Sequence, residues 1–178
     1  MRIQRLETYT RGNLSIVKVR TDDGAEGYGQ ISPFNADISA QVFHRQVAPY
    51  ALGKDATQLD RLADGLLEST YKFPGSYVCR ALCGLDTALW DLRGRLEGKS
   101  VAELLGAEPG VLLTPYGSSM SREITPEDEA ARLAELRRQY GFRAFKIRIG
   151  SVCGHDRDQW PGRTEALVPA VRRAIGND

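Results

Sequence analysis

Phe142-Arg-Ala-Phe-Lys-Ile-Arg-Ile-Gly150 is the stretch on which the reading of this chain turns. Its residues alternate, with Phe145, Ile147 and Ile149 on one side and Lys146 and Arg148 on the other. A period of two is that of a β-strand. Ahead of it, Thr125-Pro-Glu-Asp128 has the chemistry of a helix start: Thr as N-cap, proline at the first helical position and acids in the first turn. That helix carries Arg137 and Arg138 near its negative end and stops at Gly141. Before it, Val111-Leu-Leu-Thr-Pro-Tyr116 reads as a short strand ending in Gly117-Ser-Ser119. Strand, long crossover and strand predict a parallel βαβ unit. Two long cations would then point the same way from one strand. A solvated edge strand could look like this, and so could a site that holds a carboxylate and removes a proton.

Downstream, the polar segment 151–162 contains Cys153-Gly-His-Asp156, and a lone His-Asp pair there reads as solvated. A helix is expected from Arg163 or Thr164 to Ala174, apolar at Leu167, Val168, Val171 and Ile175, with a kink at Pro169. Two parallel strands and two helices cannot bury both faces of a sheet. The reading therefore favours a piece of a longer chain.

Upstream, the loosely alternating residues 1–10, then 14–20 and 25–31, read as three strands. Arg11-Gly-Asn13 and Thr21-Asp-Asp-Gly24 are tight turns between them, which makes an antiparallel meander. Gly27 and Gly29 in the third strand suggest that something approaches its backbone closely. Helices are expected over 38–52, strained by Pro49, and over 58–69, with Thr57 as cap and Leu59, Leu62 and Leu66 on one side. The strongest helix runs over 77–96, where Val78, Leu82, Leu85, Leu89, Leu92 and Leu96 recur at spacings of three and four. Burying each such leucine is worth roughly 1.5–3 kcal/mol, so this stripe needs a partner. Asp86 beside it reads as a capping or salt-bridging carboxylate, while Gly94 and Gly98 loosen the end. One short turn, 101–105, follows. The fold class is thus an α+β domain over 1–110, a three-stranded antiparallel meander plus helices, and a second part over 111–178 that begins a strand–helix alternation.

Bulk composition excludes several classes. The 178 residues carry 24 Lys+Arg against 23 Asp+Glu, a formal charge of +1, which argues against a nucleic-acid or membrane partner. No run of about 18 apolar residues could form a membrane span. Cys79, Cys83 and Cys153 lack metal-site spacing, and an odd cysteine count without a signal segment fits a cytoplasmic location. Gly27-Tyr-Gly29 is too short to cradle a nucleotide phosphate.

Four stretches resemble the enolase superfamily, in particular the mandelate racemase/muconate lactonizing enzyme family. Gly27-Tyr-Gly-Gln30 is similar to its Gly-x-Gly-Glu segment, and Ala81-Leu-Cys-Gly-Leu-Asp-Thr-Ala-Leu-Trp-Asp-Leu92 to its Gly-Leu-Asp-x-Ala-Leu-Trp-Asp run. Ser100-Val-Ala-Glu-Leu-Leu-Gly106 resembles the end of its capping domain. Lys146-Ile-Arg148 stands where the family carries Lys-x-Lys on the second barrel strand. The resemblance implies an α+β capping domain over 1–110 and, over 111–178, the first strands of a (β/α) TIM-type barrel.

It also implies a chemistry: abstraction of the proton α to a carboxylate, through an enediolate stabilised by Mg²⁺ and cationic side chains. Metal-binding carboxylates in the family follow on the third, fourth and fifth barrel strands, so the Mg²⁺ ligands are expected beyond residue 178. No metal ligand is assigned here, and Asp178 is a poor candidate. Lys146 would touch the substrate carboxylate, and Arg148 takes the position of the base. A guanidinium stays protonated in proteins and grips oxyanions well but deprotonates poorly. Dehydration of a sugar acid by a base from another strand is therefore preferred over two-faced racemisation, epimerisation or cycloisomerisation. Substrate contacts are expected from Tyr116 and Ser118 at the first strand's end, and from Phe34 and Asn35 in the loop after the meander. The partner expected is a small-molecule carboxylate, with a homo-oligomeric assembly. The 178 residues alone are expected to be inactive, with a structural or interaction role for a truncated product as the other reading.

Overall fold

The computed structural model describes residues 1–108 and 110–176. Pro109, part of the break read between the two halves, and Asp178 lie outside the described residues. The chain divides into two compact units, Met1–Val111 and Leu112–Asp178.

The first unit opens with strands β1 (Ile3–Arg11), β2 (Leu14–Thr21) and β3 (Glu26–Gln30), paired antiparallel in that order. Tight turns join them, with Gly12 and Gly24 at positive φ. Val17 and Val19 of β2 point inward and are fully buried. Helix α1 (Ala36–Val42) continues through a π turn (Phe43–Val47) into α2 (Ala48–Ala51). Pro49 lies at the start of α2, and the backbone N–H of Ala48 reaches back five residues to Phe43 O. The wider turn just before it absorbs the hydrogen bond and space that proline denies an α-helix. Helix α3 (Leu59–Ser69) follows. Its first residue is preceded by Gln58, not capped by Thr57, whose hydroxyl is instead taken by Asp55.

Helix α4 (Ser76–Glu97) is the centre of this unit. Val78, Leu82, Leu85, Leu89 and Leu92 are buried against the meander and the preceding helices, while Leu96, in the last turn, is exposed. The two strand glycines explain how closely α4 lies on β3. A Cβ on Gly27 would sit 2.2 Å from Ala88 O, and one on Gly29 would sit 2.4 Å from Gly84 O and Ala88 N. Asp91 of α4 also accepts the edge N–H of Tyr28 at 2.8 Å. Asp86 departs from the expected capping or pairing role: no cation pairs with it among the described residues. Burial, and then the nearby Asp60 charge, push its carboxyl pKa up. Gly94 and Gly98 do not loosen the helix. Gly94 leaves room for Lys99 O, and Gly98, at φ 64°, forms the left-handed cap. Helix α5 (Val101–Leu104) starts at a reciprocal box in which Ser100 and Glu103 satisfy each other's backbone N–H.

In the second unit, β4 (Gly117–Ser118), α6 (Pro126–Tyr140), β5 (Phe145–Lys146) and α7 (Arg163–Ile175) form the expected strand–helix–strand–helix order. The two strands are parallel, Gly117 opposite Phe145 and Ser118 opposite Lys146. Pairing is much shorter than the pattern suggested. Residues 111–116 are not a strand, and Leu112 and Leu113 are exposed, because only the residues from Gly117 onward meet the backbone of β5. Thr125 caps α6 through Asp128 N at 3.1 Å, and Gly141 ends it at φ 72°. Ala130 and Leu133 of α6 pack against Leu167, Ala170 and Val171 of α7, with Phe145 and Ile147 at the margin. Ile149 is exposed, and so is Val168. Pro169 leaves α7 unbroken, and both it and Glu165, the residue whose carbonyl it frees, are exposed.

The glycine contacts yield a stability prediction. Gly27→Ala and Gly29→Ala should each lower the unfolding free energy by about 2 kcal/mol or more, because the added methyl meets backbone that cannot move aside. Gly75→Ala, which meets open space, should cost less. Urea denaturation followed by circular dichroism checks the ranking.

Candidate active site

Parallel pairing sets which side chains of the second unit share a face. Gly117 N donates to Ala144 O and Ser119 N to Lys146 O, both at 2.9 Å. Gly117 and Ser119 turn inward and are buried; a Cβ on Gly117 would strike the Phe145 ring at 2.8 Å. The alternate residues turn the other way. Ser118 of β4 thus stands beside Lys146 of β5, and the flanking residues Tyr116 and Met120 lie next to Lys146 and Arg148.

Two contacts define this face. Lys146 Nζ lies 6.0 Å from the centre of the Tyr116 ring. Arg148 Nη2 lies 2.9 Å from Met120 Sδ, a weak acceptor for a guanidinium. Arg148 Nε is buried and has no partner among the described residues, and the same holds for Arg122 Nε in the loop after β4. Neither Lys146 nor Arg148 is paired with a carboxylate among the described residues. Met120 also lines an open depression of about 550 Å³, together with Arg122, Thr125, Asp128 and Val152 among others.

Of the site residues expected from the sequence, Tyr116, Ser118, Lys146 and Arg148 come together on this face. Phe34 and Asn35 belong to the other unit. Both adopt left-handed backbone, at φ 75° and 55°. Arg80 Nη2 donates to the carbonyls of Pro33 and Phe34, and Asn35 Nδ2 to Tyr77 Oη at 3.0 Å. Phe34 is 72% exposed, so its ring is available to a ligand. His155 and Asp156 sit in a loop that closes on itself through Ser151 N to Arg157 O at 2.9 Å, and no contact ties them to the cationic face.

Beneath the face lie residues that the sequence reading did not single out. Glu129 of α6 is 1% exposed and forms a two-pronged pair with Arg132, at 2.9 and 3.0 Å. Arg132 also donates to Ser119 Oγ at 2.7 Å, which anchors the end of β4. The Glu-x-x-Arg spacing on a helix was the available signal. Arg163, at the start of α7, is also buried, and its Nη1 donates to Arg148 O at 2.9 Å. Asp158 caps that helix. Its carboxylate accepts from Thr164 N at 2.7 Å and from Thr164 Oγ1 at 2.6 Å, and Thr164 Oγ1 accepts from Gly150 N at 3.2 Å. The Thr164 hydroxyl, then its backbone N–H, hold the Asp158 carboxyl below the usual range.

No group of three or more His, Cys, Asp or Glu side chains among the described residues could hold a metal ion. No helix is long and apolar enough to cross a membrane, among the described residues.

Comparison with known proteins places this geometry in context. Residues 4–106 match the family model described as the mandelate racemase/muconate lactonizing enzyme N-terminal domain. A D-galactonate dehydratase family member of Paenibacillus sp. (strain JDR-2) is 31% identical over 163 residues, covering 88% of this chain and 39% of that protein. A D-galactonate dehydratase of Xanthomonas campestris pv. campestris (strain B100) is 30% identical over 150 residues, covering 83% of this chain and 38% of its own. Among solved structures, a presumptive racemase from Roseobacter denitrificans shares 54% identity at a TM-score of 0.96, over 100% of this chain and 48% of that one. A mandelate racemase/muconate lactonizing protein from Paracoccus denitrificans PD1222, complexed with magnesium, shares 27% identity at a TM-score of 0.84, over 98% of this chain and 49% of that one. The chain thus spans under two fifths of these curated relatives, 39% and 38%. The three-stranded sheet and helices of the first unit match the N-terminal capping domain of such structures.

The Asp158 cap has a pH signature. A carboxyl held low in the folded state adds stability above its unfolded pKa, and that stability is lost as pH falls through the folded value. Asp158→Asn should therefore lower the melting temperature near neutral pH. The difference from the parent should shrink as pH falls through and below the ordinary aspartate range, about pH 4. Thermal unfolding across that range measures it.

Proposed function

We propose, for a chain that belongs to the mandelate racemase/muconate lactonizing enzyme family, that it forms part of an enzyme that dehydrates a sugar acid. On this reading the second unit is the beginning of a (β/α) barrel, and the face of Tyr116, Ser118, Lys146 and Arg148 looks into its active site. The observation that carries it is the pair of uncompensated cations, with the Arg148 guanidinium resting on a thioether. An oxyanion is a far better partner for that fork than sulfur.

The substrate carboxylate would lie between Lys146 and Arg148. Removal of the α-proton sends the C–H electron pair into the carboxylate, giving an enediolate whose second negative charge the two cations stabilise. Loss of hydroxide from the β-carbon, protonated as it leaves, yields an enol that tautomerises to a 2-keto acid. Arg148 holds the charge and does not take the proton, so the base is a separate group. We assign magnesium, the ion of the Paracoccus structure, to ligands outside the described residues. Tyr116 and Ser118, with Phe34 and Asn35 of the first unit, are the proposed substrate contacts. A homo-oligomer remains the proposed assembly.

One observation favours a second reading. The Roseobacter protein, at 54% identity over the whole chain, is described as a presumptive racemase. Racemisation needs acid–base groups on both faces of the α-carbon, and Lys146 could supply one of them.

In the full-length protein that carries this chain, Arg148→Ala should lower kcat/KM for a sugar acid by about a hundredfold or more. Arg148→Lys should restore part of that loss. Steady-state kinetics on a panel of acid sugars tests this. Turnover and substrate binding that stay at parent levels in both variants would remove Arg148 from the site.

A further inference from the structure

We propose that Arg163 is a positioning residue that holds Arg148 in place to grip the substrate carboxylate, an inference that rests on the reading of Arg148 above. Arg163 is the first residue of α7 and only 1% exposed. A buried guanidinium ordinarily pairs with a carboxylate. This one does not. Asp158, the nearby acid, turns its oxygens to Thr164. Arg163 instead spends its donors on backbone: Nη1 to Arg148 O at 2.9 Å and Nε to Ile124 O at 3.2 Å. Its guanidinium carbon lies 5.2 Å from the centre of the Trp160 ring, and Nη2 is buried without a partner among the described residues.

The two carbonyls identify what is being held. Arg148 O belongs to the residue that carries the second cation. Ile124 O belongs to the loop after β4, the loop that also presents Met120 to the Arg148 guanidinium. One buried side chain therefore fixes both the backbone from which Arg148 projects and the loop on which it rests. Thr164 adds a second tie two residues along, accepting from Gly150 N. The backbone that follows β5 is clamped at Arg148 and Gly150 by consecutive residues of α7. β4 and β5 are paired over only two residues each, so the sheet by itself does little to fix residue 148. Arg163 supplies the missing constraint.

A double-mutant cycle in the full-length protein tests this, with Arg163→Met, Arg148→Met and both together, and Arg163→Lys as the conservative variant. Melting temperatures confirm that each variant is folded. Calorimetric binding of a non-reactive carboxylate analogue is measured alongside kcat and KM. Misplacing a gripping group can cost about a hundredfold, so Arg163→Met alone should weaken analogue binding and lower kcat/KM by up to about that factor. In the Arg148→Met background the same change should have almost no effect, because the group it positions is gone. Arg163→Lys, if folded, should recover part of the loss. Effects of Arg163→Met that are equal in both backgrounds would overturn the positioning role and leave Arg163 a stability residue. If Arg148→Met itself leaves binding and kinetics at parent levels, the reading of Arg148 fails first and the inference falls with it. Should Arg163→Met not fold, Arg163→Lys carries the cycle in its place.

Discussion

Two backbone hydrogen bonds, Gly117 N to Ala144 O and Ser119 N to Lys146 O, set the geometry of the second unit. They are parallel-ladder bonds, and they decide which residues of the two short strands face the same way. From them follow the burial of Gly117 and Ser119, the packing of Phe145 over Gly117, and the exposure of Lys146 beside Tyr116. So short a ladder is weak alone. It persists because α6 and α7 bury Leu133 and Leu167 together, and because Arg132 and Arg163 reach out of those helices to hold the strand ends. Helices make the core here, and the strands carry the chemistry.

The first unit solves a different problem. Its meander must lie almost in contact with α4, and the two glycines of β3 make that possible. This close approach was legible in the sequence, because glycine at alternate positions of a strand weakens it without another evident reason. The leucine stripe of α4 was legible for the usual reason of periodicity. The cap of α6 was equally plain, since Thr-Pro-Glu-Asp supplies a hydroxyl, a fixed φ and negative charge in the first turn.

The remainder depended on distances that local pattern does not encode. Residues 111–116 have strand-like composition, but a strand exists only where another backbone meets it, and β5 meets the chain from Gly117 on. Thr57 has the right chemistry for a cap, yet Asp55 two residues earlier competes for its hydroxyl and wins. Arg163 opens a helix just after a polar segment, and nothing in the local pattern marks it as buried. It is buried because carbonyls 15 and 39 residues away in sequence converge on it. Lys146 and Arg148 were legible as a pair on one face, since alternation alone places them there. That Arg148 rests on Met120 and is held by Arg163 was not.

The central claim concerns the reaction: proton abstraction beside Lys146 and Arg148 leads to dehydration of a sugar acid and not to inversion at its α-carbon. Its most direct test is turnover of an accepted sugar acid by the full-length protein in deuterated water, with substrate and product followed by NMR. The account predicts a keto-acid product, with no deuterium at the α-carbon of an inverted isomer of the substrate at any time. Deuterium accumulating in such an inverted isomer would show proton transfer on both faces of the α-carbon, and would contradict it.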